Sequence, residues 1–431
     1  MKFRTTLKTV GVAIAVVIVA AVSTAGASAA PAGKKFTWST TSPVALEATA
    51  QVIRATETFQ FGPPIFAIAK KAVDADPNYA FGYYLCATYA ASPAEAKPFQ
   101  EKAVELLKNA SDGERRYIEA VFLVRSQQAD KALPILQDLH KTYPDERLVM
   151  MMLGQVSLNT GDVATAKHLF EMAVKADNTT PRAMSFLGNV NILQGDYAAA
   201  RKQYQHALKA STANIAPFGP YTGLAYSYIY EGKYDDAIAT LKQWKDNYVK
   251  AGNNANFPEV FIWNAIGRVY LESGRPAEAI PFYEGGYKSV EASSLEAIEK
   301  QIWYGRVHHG KGRALAKLGK HQEAWAEAEA IKKMIDEGGE RGKEFVPAYH
   351  YIAGYLKLEA GDFAAAIEHM KQSDLTDPFH MLILARAYDK AGDKENAIKS
   401  YEAITKSKVV NMERALSVPE ATRRLKALKT A

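Results

Sequence analysis

His308-His309 is the part of the chain whose residue types come nearest to holding a metal ion or moving a proton. Two imidazoles on a helix grip one ion when four positions separate them, so that both point the same way. Adjacent positions diverge by about 100°. The pair therefore reads as one ring in a packing slot, His308, and one exposed ring, His309. No H-E-x-x-H or C-x-x-C spacing occurs anywhere in the chain, and neither a metal nor a cofactor is expected. Asp162, Asp196, Asp362 and Asp393 could share acid–base work if two of them met. Each instead follows a glycine once per repeating segment, which is how helix-capping residues are placed. Gly285-Gly286 and Gly338-Gly339 lack the following lysine–serine and the flanking strand of a phosphate loop. Cys86 is the only cysteine, and its setting, Tyr83-Tyr84-Leu85-Cys86-Ala87, suits a small buried hydrophobe better than a reactive thiol. No catalytic centre emerges, and a non-enzyme is expected.

The elements that carry these residues repeat. Met151-Met152-Leu153-Gly154 returns as Ser185-Phe186-Leu187-Gly188, and the segments around them keep step. Gly161-Asp162 matches Gly195-Asp196, Ala166 matches Ala200, Phe170 matches Tyr204, and Ala173 matches Ala207. A period of about 34 residues with small, aromatic and small side chains in those slots resembles the tetratricopeptide repeat. A clear copy starts at Val260, with Trp263, Ile266, Gly267 and Tyr270, then Ala279 and Tyr283, while Gly286 stands where alanine is usual. Others centre on Leu224-Ala225-Tyr228, on Gly354 with Ala366, and on Leu384-Ala385-Tyr388 with Ala397 and Tyr401. Asp76-Pro77 and Tyr143-Pro144 fill the family's closing proline slot. The resemblance implies an all-α fold, a right-handed superhelical solenoid of about ten helix pairs.

Independently of the family, apolar residues recur every three or four positions between glycine–polar breaks, as in stacked helix pairs. The small residues Gly154, Gly188, Gly267, Gly312 and Gly354 admit a close neighbour, and Tyr204, Tyr283 and Tyr401 fill the space between units. The units fall near 46–79, 80–112, 113–146, 147–180, 181–214, 218–251, 260–293, 305–338, 347–377 and 378–411. Residues 412–431 read as a capping helix with Ala421, Leu425 and Leu428 on one stripe. Interruptions are expected at the polar loop Gly252-Asn253-Asn254-Ala255-Asn256 and at a second loop from Glu337 to Gly342. An extra helix is expected from Ala292 to Gln301.

Residues 1–29 read differently. Lys2, Arg4 and Lys8 precede an apolar run from Val10 to Val22, and Ala27-Ser28-Ala29 offers the small residues that a signal peptidase accepts. Export follows, to the periplasm or beyond, with residues 30–45 as a linker. The alternative is an uncleaved anchor, lengthened by the weakly apolar residues after Val22. Losing three basic and no acidic residues takes the formal net charge from +6 to +3. So small a charge gives no argument for nucleic acid or for an anionic membrane. Nucleic acid and stable membrane insertion after cleavage are therefore not expected.

What remains for function is the groove. First-helix residues beside the Leu-Gly slots line the concave face in the family resembled, which implies Asn189, Tyr226, Tyr230, Asn264, Arg268, Arg306, His309 and Arg313 as peptide-contacting residues. Asparagines bond peptide backbones and arginines clamp carboxylates. Clustered arginines suggest an acidic partner, unless the chain's own acids, such as Glu272, already pair with them. The lysine–asparagine clamp of the chaperone-binding members is absent. The chain is further similar to exported bacterial repeat proteins that share an opening like Ser39-Thr40-Thr41-Ser42-Pro43 and a linker like Ser111-Asp112-Gly113-Glu114-Arg115. Two functions follow: a scaffold for proteins or peptides in envelope assembly, or a sensory subunit that passes a ligand signal to a membrane partner.

Overall fold

A computed structural model describes residues 35–211, 216–251 and 258–430. The expected leader, 1–29, and the polar loop at 252–256 lie outside the described residues. Within them there are helices and no strands. The first pairs are α1 (Pro43–Glu57) with α2 (Pro63–Ala75), α3 (Ala80–Tyr89) with α4 (Pro93–Leu106), and α5 (Asp112–Arg125) with α6 (Ala129–Thr142). Next come α7 (Arg147–Thr160) with α8 (Val163–Ala176), α9 (Pro181–Gln194) with α10 (Tyr197–Ala210), and α11 (Phe218–Ile229) with α12 (Tyr234–Lys250). Then follow α13 (Val260–Glu272) with α14 (Pro276–Ala292), α15 (Ala297–Lys317) with α16 (His321–Glu337), and the one-turn α17 (Gly339–Gly342). The last pairs are α18 (Val346–Glu359) with α19 (Phe363–Met370) and α20 (Pro378–Ala391) with α21 (Lys394–Lys406), before the terminal α22 (Met412–Thr430).

Local chemistry sets the breaks within pairs. At Gly161, φ is +94°, a left-handed conformation that ends α7 at little cost for glycine. Asp162 then accepts a hydrogen bond from the Thr165 amide at 3.0 Å and starts α8. Gly392 and Asp393 do the same between α20 and α21, with the Asn396 amide at 3.1 Å.

The two helices of a pair bury different amounts of surface. In α9, Ala183, Met184, Ser185, Leu187, Gly188, Val190 and Ile192 are all buried, whereas α10 buries one stripe of Ala200, Tyr204 and Ala207. First helices thus form the inner layer and second helices the outer one. The layers are joined by a ring set between glycines. Tyr204 of α10 is fully buried, and a Cβ at Gly188 or at Gly223 of the next unit would lie 2.5 or 2.3 Å from its ring. Tyr283 of α14 sits likewise between Gly267 and Gly310, where an added Cβ would come within 3.1 and 2.0 Å. Phe170 closes on Gly154 and stacks on Phe186 of the following unit, with ring centroids 4.9 Å apart.

The stack winds into two turns, each with its own apolar core, one from Phe36 to Val190 and one from Ile192 to Ala421. The first turn closes where α1 meets the end of α8 and the start of α9. Arg54 pairs with Asp177 at 3.0 Å and bonds Thr179 at 3.0 Å. The second turn closes where α22 reaches back across it to α11 and α13, as Arg414 bonds the Tyr230 hydroxyl and Glu413 pairs with Arg268.

Several sequence expectations are corrected. Residues 35–45 are not a linker, because Phe36 is buried against Tyr117 and Tyr143, and α1 already begins at Pro43. This segment docks on the Ser111–Arg115 stretch, which is the cap and first turn of α5. Ser111 Oγ donates to the Thr37 carbonyl at 2.6 Å. Buried Glu114 accepts from the Ser39 amide at 2.7 Å, the Ser39 hydroxyl at 3.0 Å and the Phe81 amide at 3.0 Å. Residues 292–301 are not a separate helix: α14 ends at Ala292, and a reciprocal cap between Glu296 and Glu299 opens α15 early. The stretch from Glu337 to Gly342 is not a loop but helical turns packed so tightly that a Cβ at Gly342 would meet the Ile335 carbonyl at 2.0 Å. Cys86, by contrast, is buried as its setting suggests, and burial pushes its thiol up to about 12.

The ring-between-glycines joint predicts a coupled stability loss. Gly223→Val should destabilise by about 3 kcal/mol through overpacking, and Tyr204→Ala by about 3–5 kcal/mol through the cavity it leaves. Together they should cost less than their sum, because the valine enters the vacated space. Urea unfolding followed by circular dichroism measures all three; simple additivity would show that ring and glycine do not share one site.

Candidate functional site

The eight residues expected on the groove all come from the inner layer. Asn189 lies on α9, Tyr226 on α11 and Tyr230 at its end, Asn264 and Arg268 on α13, and Arg306, His309 and Arg313 on α15. Spacings of three and four put each set on one helix face. Except for Asn189, they gather in the second turn. Asn189 stands apart, accepting from the Tyr204 hydroxyl at 2.7 Å and so supporting the joint described above.

The arginines are not an exposed cluster of like charge. Arg313 is 4% exposed in its side chain and pairs with Glu272 at 2.7 Å. It also lies over the rings of Tyr355 and Phe379, 5.6 and 5.3 Å from their centroids. Burial works against its charge, but Tyr351 and Glu272 outweigh it and hold the proton more tightly than usual. Arg268 pairs with Glu413, itself 4% exposed, and stacks over Phe379 at 4.5 Å. Arg306 covers Trp303 at 4.8 Å, and burial brings its guanidinium down to about 10. Surface pairs are worth at most about 1 kcal/mol, whereas these pairs are buried, so breaking either of them costs considerably more.

The histidines also differ from the sequence reading. His309 faces inward: its Nε2 lies 2.8 Å from the Ala348 carbonyl, to which it donates, and its ring meets Tyr351 edge-on at 5.2 Å. Burial first, then His380 and Arg313, keeps it neutral well below the usual histidine range. His308 points to α16 and meets Glu327. Tyr226 and Tyr230 are both buried, the latter between Arg414 and the stacked ring of Tyr197 at 4.8 Å. Sequence reasoning missed Glu413, Arg414, Tyr351, Phe379 and His380. The last three fall in the first helices of later units, where the slot rule could have found them. No periodicity signals the first two.

Along this wall several buried polar atoms have no hydrogen-bond partner among the described residues. They are both amide atoms of Asn264, Nε of Arg268 and of Arg313, the Tyr355 hydroxyl, Nδ1 of His380, and Oε2 of Glu413. Buried polar groups are nearly always satisfied, and these atoms are closed to solvent, so a chain laid along the wall reaches them only if the side chains around them move. Among the described residues no group of three or more histidine, cysteine or acidic side chains could hold a metal ion. No described helix is long and apolar enough to cross a membrane.

The Arg268–Glu413 pair should behave as one unit. Removing either side chain leaves a buried charge, a loss of about 3–5 kcal/mol, and the pair should show a coupling of about 1–3 kcal/mol in a double-mutant cycle. Burial raises the Glu413 carboxyl, but Arg268 leads the groups that bring it below the usual glutamate value. Its contribution is thus complete above that value and is lost as pH falls through the lowered one. Glu413→Gln should abolish this acid step in urea-unfolding curves measured against pH; a step that persists would assign it elsewhere.

Family models of the tetratricopeptide repeat match residues 151–215, 222–294 and 381–407. No curated protein matches the chain. Solved structures overlap it in part. MamA is 20% identical over 42% of this chain and 96% of its own, with a TM-score of 0.34. A tetratricopeptide repeat protein from Parabacteroides merdae is 15% identical over 64% of this chain and 98% of its own, with a TM-score of 0.41. YrrB, described as having an unusual peptide-binding site, is 20% identical over 40% of this chain and 87% of its own, with a TM-score of 0.24. With the matched repeats continuing through a stack of helix pairs from α1 to α21, the chain is a tetratricopeptide-repeat protein.

Proposed function

We propose that the protein is an exported, non-catalytic scaffold that holds protein or peptide segments along the inner wall of its second turn, in envelope assembly. Its repeats are those of protein–protein interaction scaffolds. The observation that carries the finer reading is the row of unsatisfied polar atoms from Asn264 to His380, which a partner backbone would satisfy on displacing α22 and the side chains that cover them. Glu413 on Arg268 and Glu272 on Arg313 already supply the carboxylates that the clustered arginines suggested, so the partner need not be acidic. The leader pattern at residues 1–29 supports export.

Photocrosslinkers at Asn264 and Arg306 should join the protein to one envelope partner, while a crosslinker at Gln243 on the outer face should not. Crosslinking from Gln243 alone would overturn the assignment of the wall. Intact-mass measurement of the envelope form should give a chain starting at or near Ala30. A full-length mass would replace the exported scaffold with an anchored one.

A further inference from the structure

The first turn holds a cavity of about 750 Å³, open on one side and lined by the inner helices α1, α3, α5, α7 and α9. That volume lies within the roughly 300–1,000 Å³ of small-molecule sites. It exists because α1 closes back on α9, so the inner layer forms a ring and not an open groove. Its apolar surface comes from Phe81, Leu85, Val121 and Met152. The hydroxyls of Tyr84 and Tyr117, also on the lining, make no hydrogen bond among the described residues.

The charges around it do not balance. Glu57, the acidic residue on the lining, faces Arg147, whose Nε lies 3.3 Å from its Oε1. Asp177, just outside, is shared by Arg147 at 3.3 Å and Arg54 at 3.0 Å. Two acids thus meet two arginines. The lining holds two more, Arg125 and Arg182. Arg125 bonds the Thr88 hydroxyl at 2.9 Å and covers Tyr84 at 5.7 Å. Arg182 covers Phe186 at 5.8 Å. Neither is in an ion pair among the described residues, although Arg182 acts on Glu57 from farther off. Both act electrostatically on Tyr89 and Tyr117, as buried Glu146 does on Tyr117, and Arg125 is exposed at the edge of the lining.

We propose that this cavity binds a small amphipathic carboxylate, with its apolar body against Phe81, Leu85, Val121 and Met152 and its carboxylate toward Arg125 and Arg182. An apolar enclosure suits a hydrocarbon or aryl body, and the surplus guanidinium groups suit an anion that each can meet with paired N–H donors. The site is separate from the wall of the second turn. Its occupancy would supply the ligand that a sensory role requires.

Calorimetric titration of the purified protein with octanoate and with 1-octanol tests the proposal. Octanoate should bind one per chain, and more tightly than octanol. Arg125→Gln with Arg182→Gln should weaken octanoate about tenfold or more and leave octanol unchanged. That variant should melt like the parent, since neither arginine is in an ion pair. Met152→Trp, which fills the cavity, should weaken both ligands. Equal affinity for the two ligands, octanoate binding unaffected by either variant, or no octanoate binding at millimolar concentration would each overturn it.

Discussion

The spacing of the array depends on how closely a ring of one second helix can approach two successive first helices. Tyr204 lies where a Cβ on either side would collide with the ring, and Tyr283 where one would collide at Gly310 and press on the ring at Gly267. Glycine on both faces therefore fixes the separation of neighbouring units to within the thickness of an aromatic side chain. Dispersion falls off steeply with gap width and repulsion rises faster, so such a joint has one good spacing. With Phe170 seated on Gly154 and Phe186, such joints follow one another from α8 to α15, and one spacing gives one curvature there. The curvature brings elements together that are far apart in the chain, α1 with α9 and α22 with α13.

Those closures decide what each turn can do. In the second, α22 brings Glu413 onto Arg268 and Arg414 onto Tyr230, and the inner wall becomes a buried polar surface with pairing only partly complete. In the first, no helix occupies the centre, and the ring of inner helices leaves a cavity edged by surplus positive charge. One repeat thus yields two kinds of interior. The difference comes from the ends: the N-terminal segment packs on the rim through Phe36, Ser39 and Glu114, whereas the C-terminal helix crosses the inner face.

Much of this was legible in the sequence because it is local or periodic. The glycine at the end of α7 and the aspartate after it announce a break, and Gly188 with Tyr204 announces a joint, within one repeat length. The solenoid follows from these. What was not legible depends on separations that no period encodes. Ser39 and Glu114 are 75 residues apart, and Arg268 and Glu413 are 145 apart. A polar opening segment and a polar-faced last helix look like a linker and a cap until the curvature shows where they land. The groove residues were read only from Asn189 onward. The same slot rule applied earlier gives Gln155, which lines the cavity of the first turn.

The central claim is that the joints set the curvature that closes the turns. Nitroxide labels at Asp236 on α12 and Lys426 on α22, both exposed, would report it by double electron–electron resonance. The parent protein should give one narrow distance. Gly310→Val, which forces the Tyr283 joint apart while the chain stays helical, should lengthen and broaden that distance. An unchanged narrow distance in folded Gly310→Val protein would contradict the account.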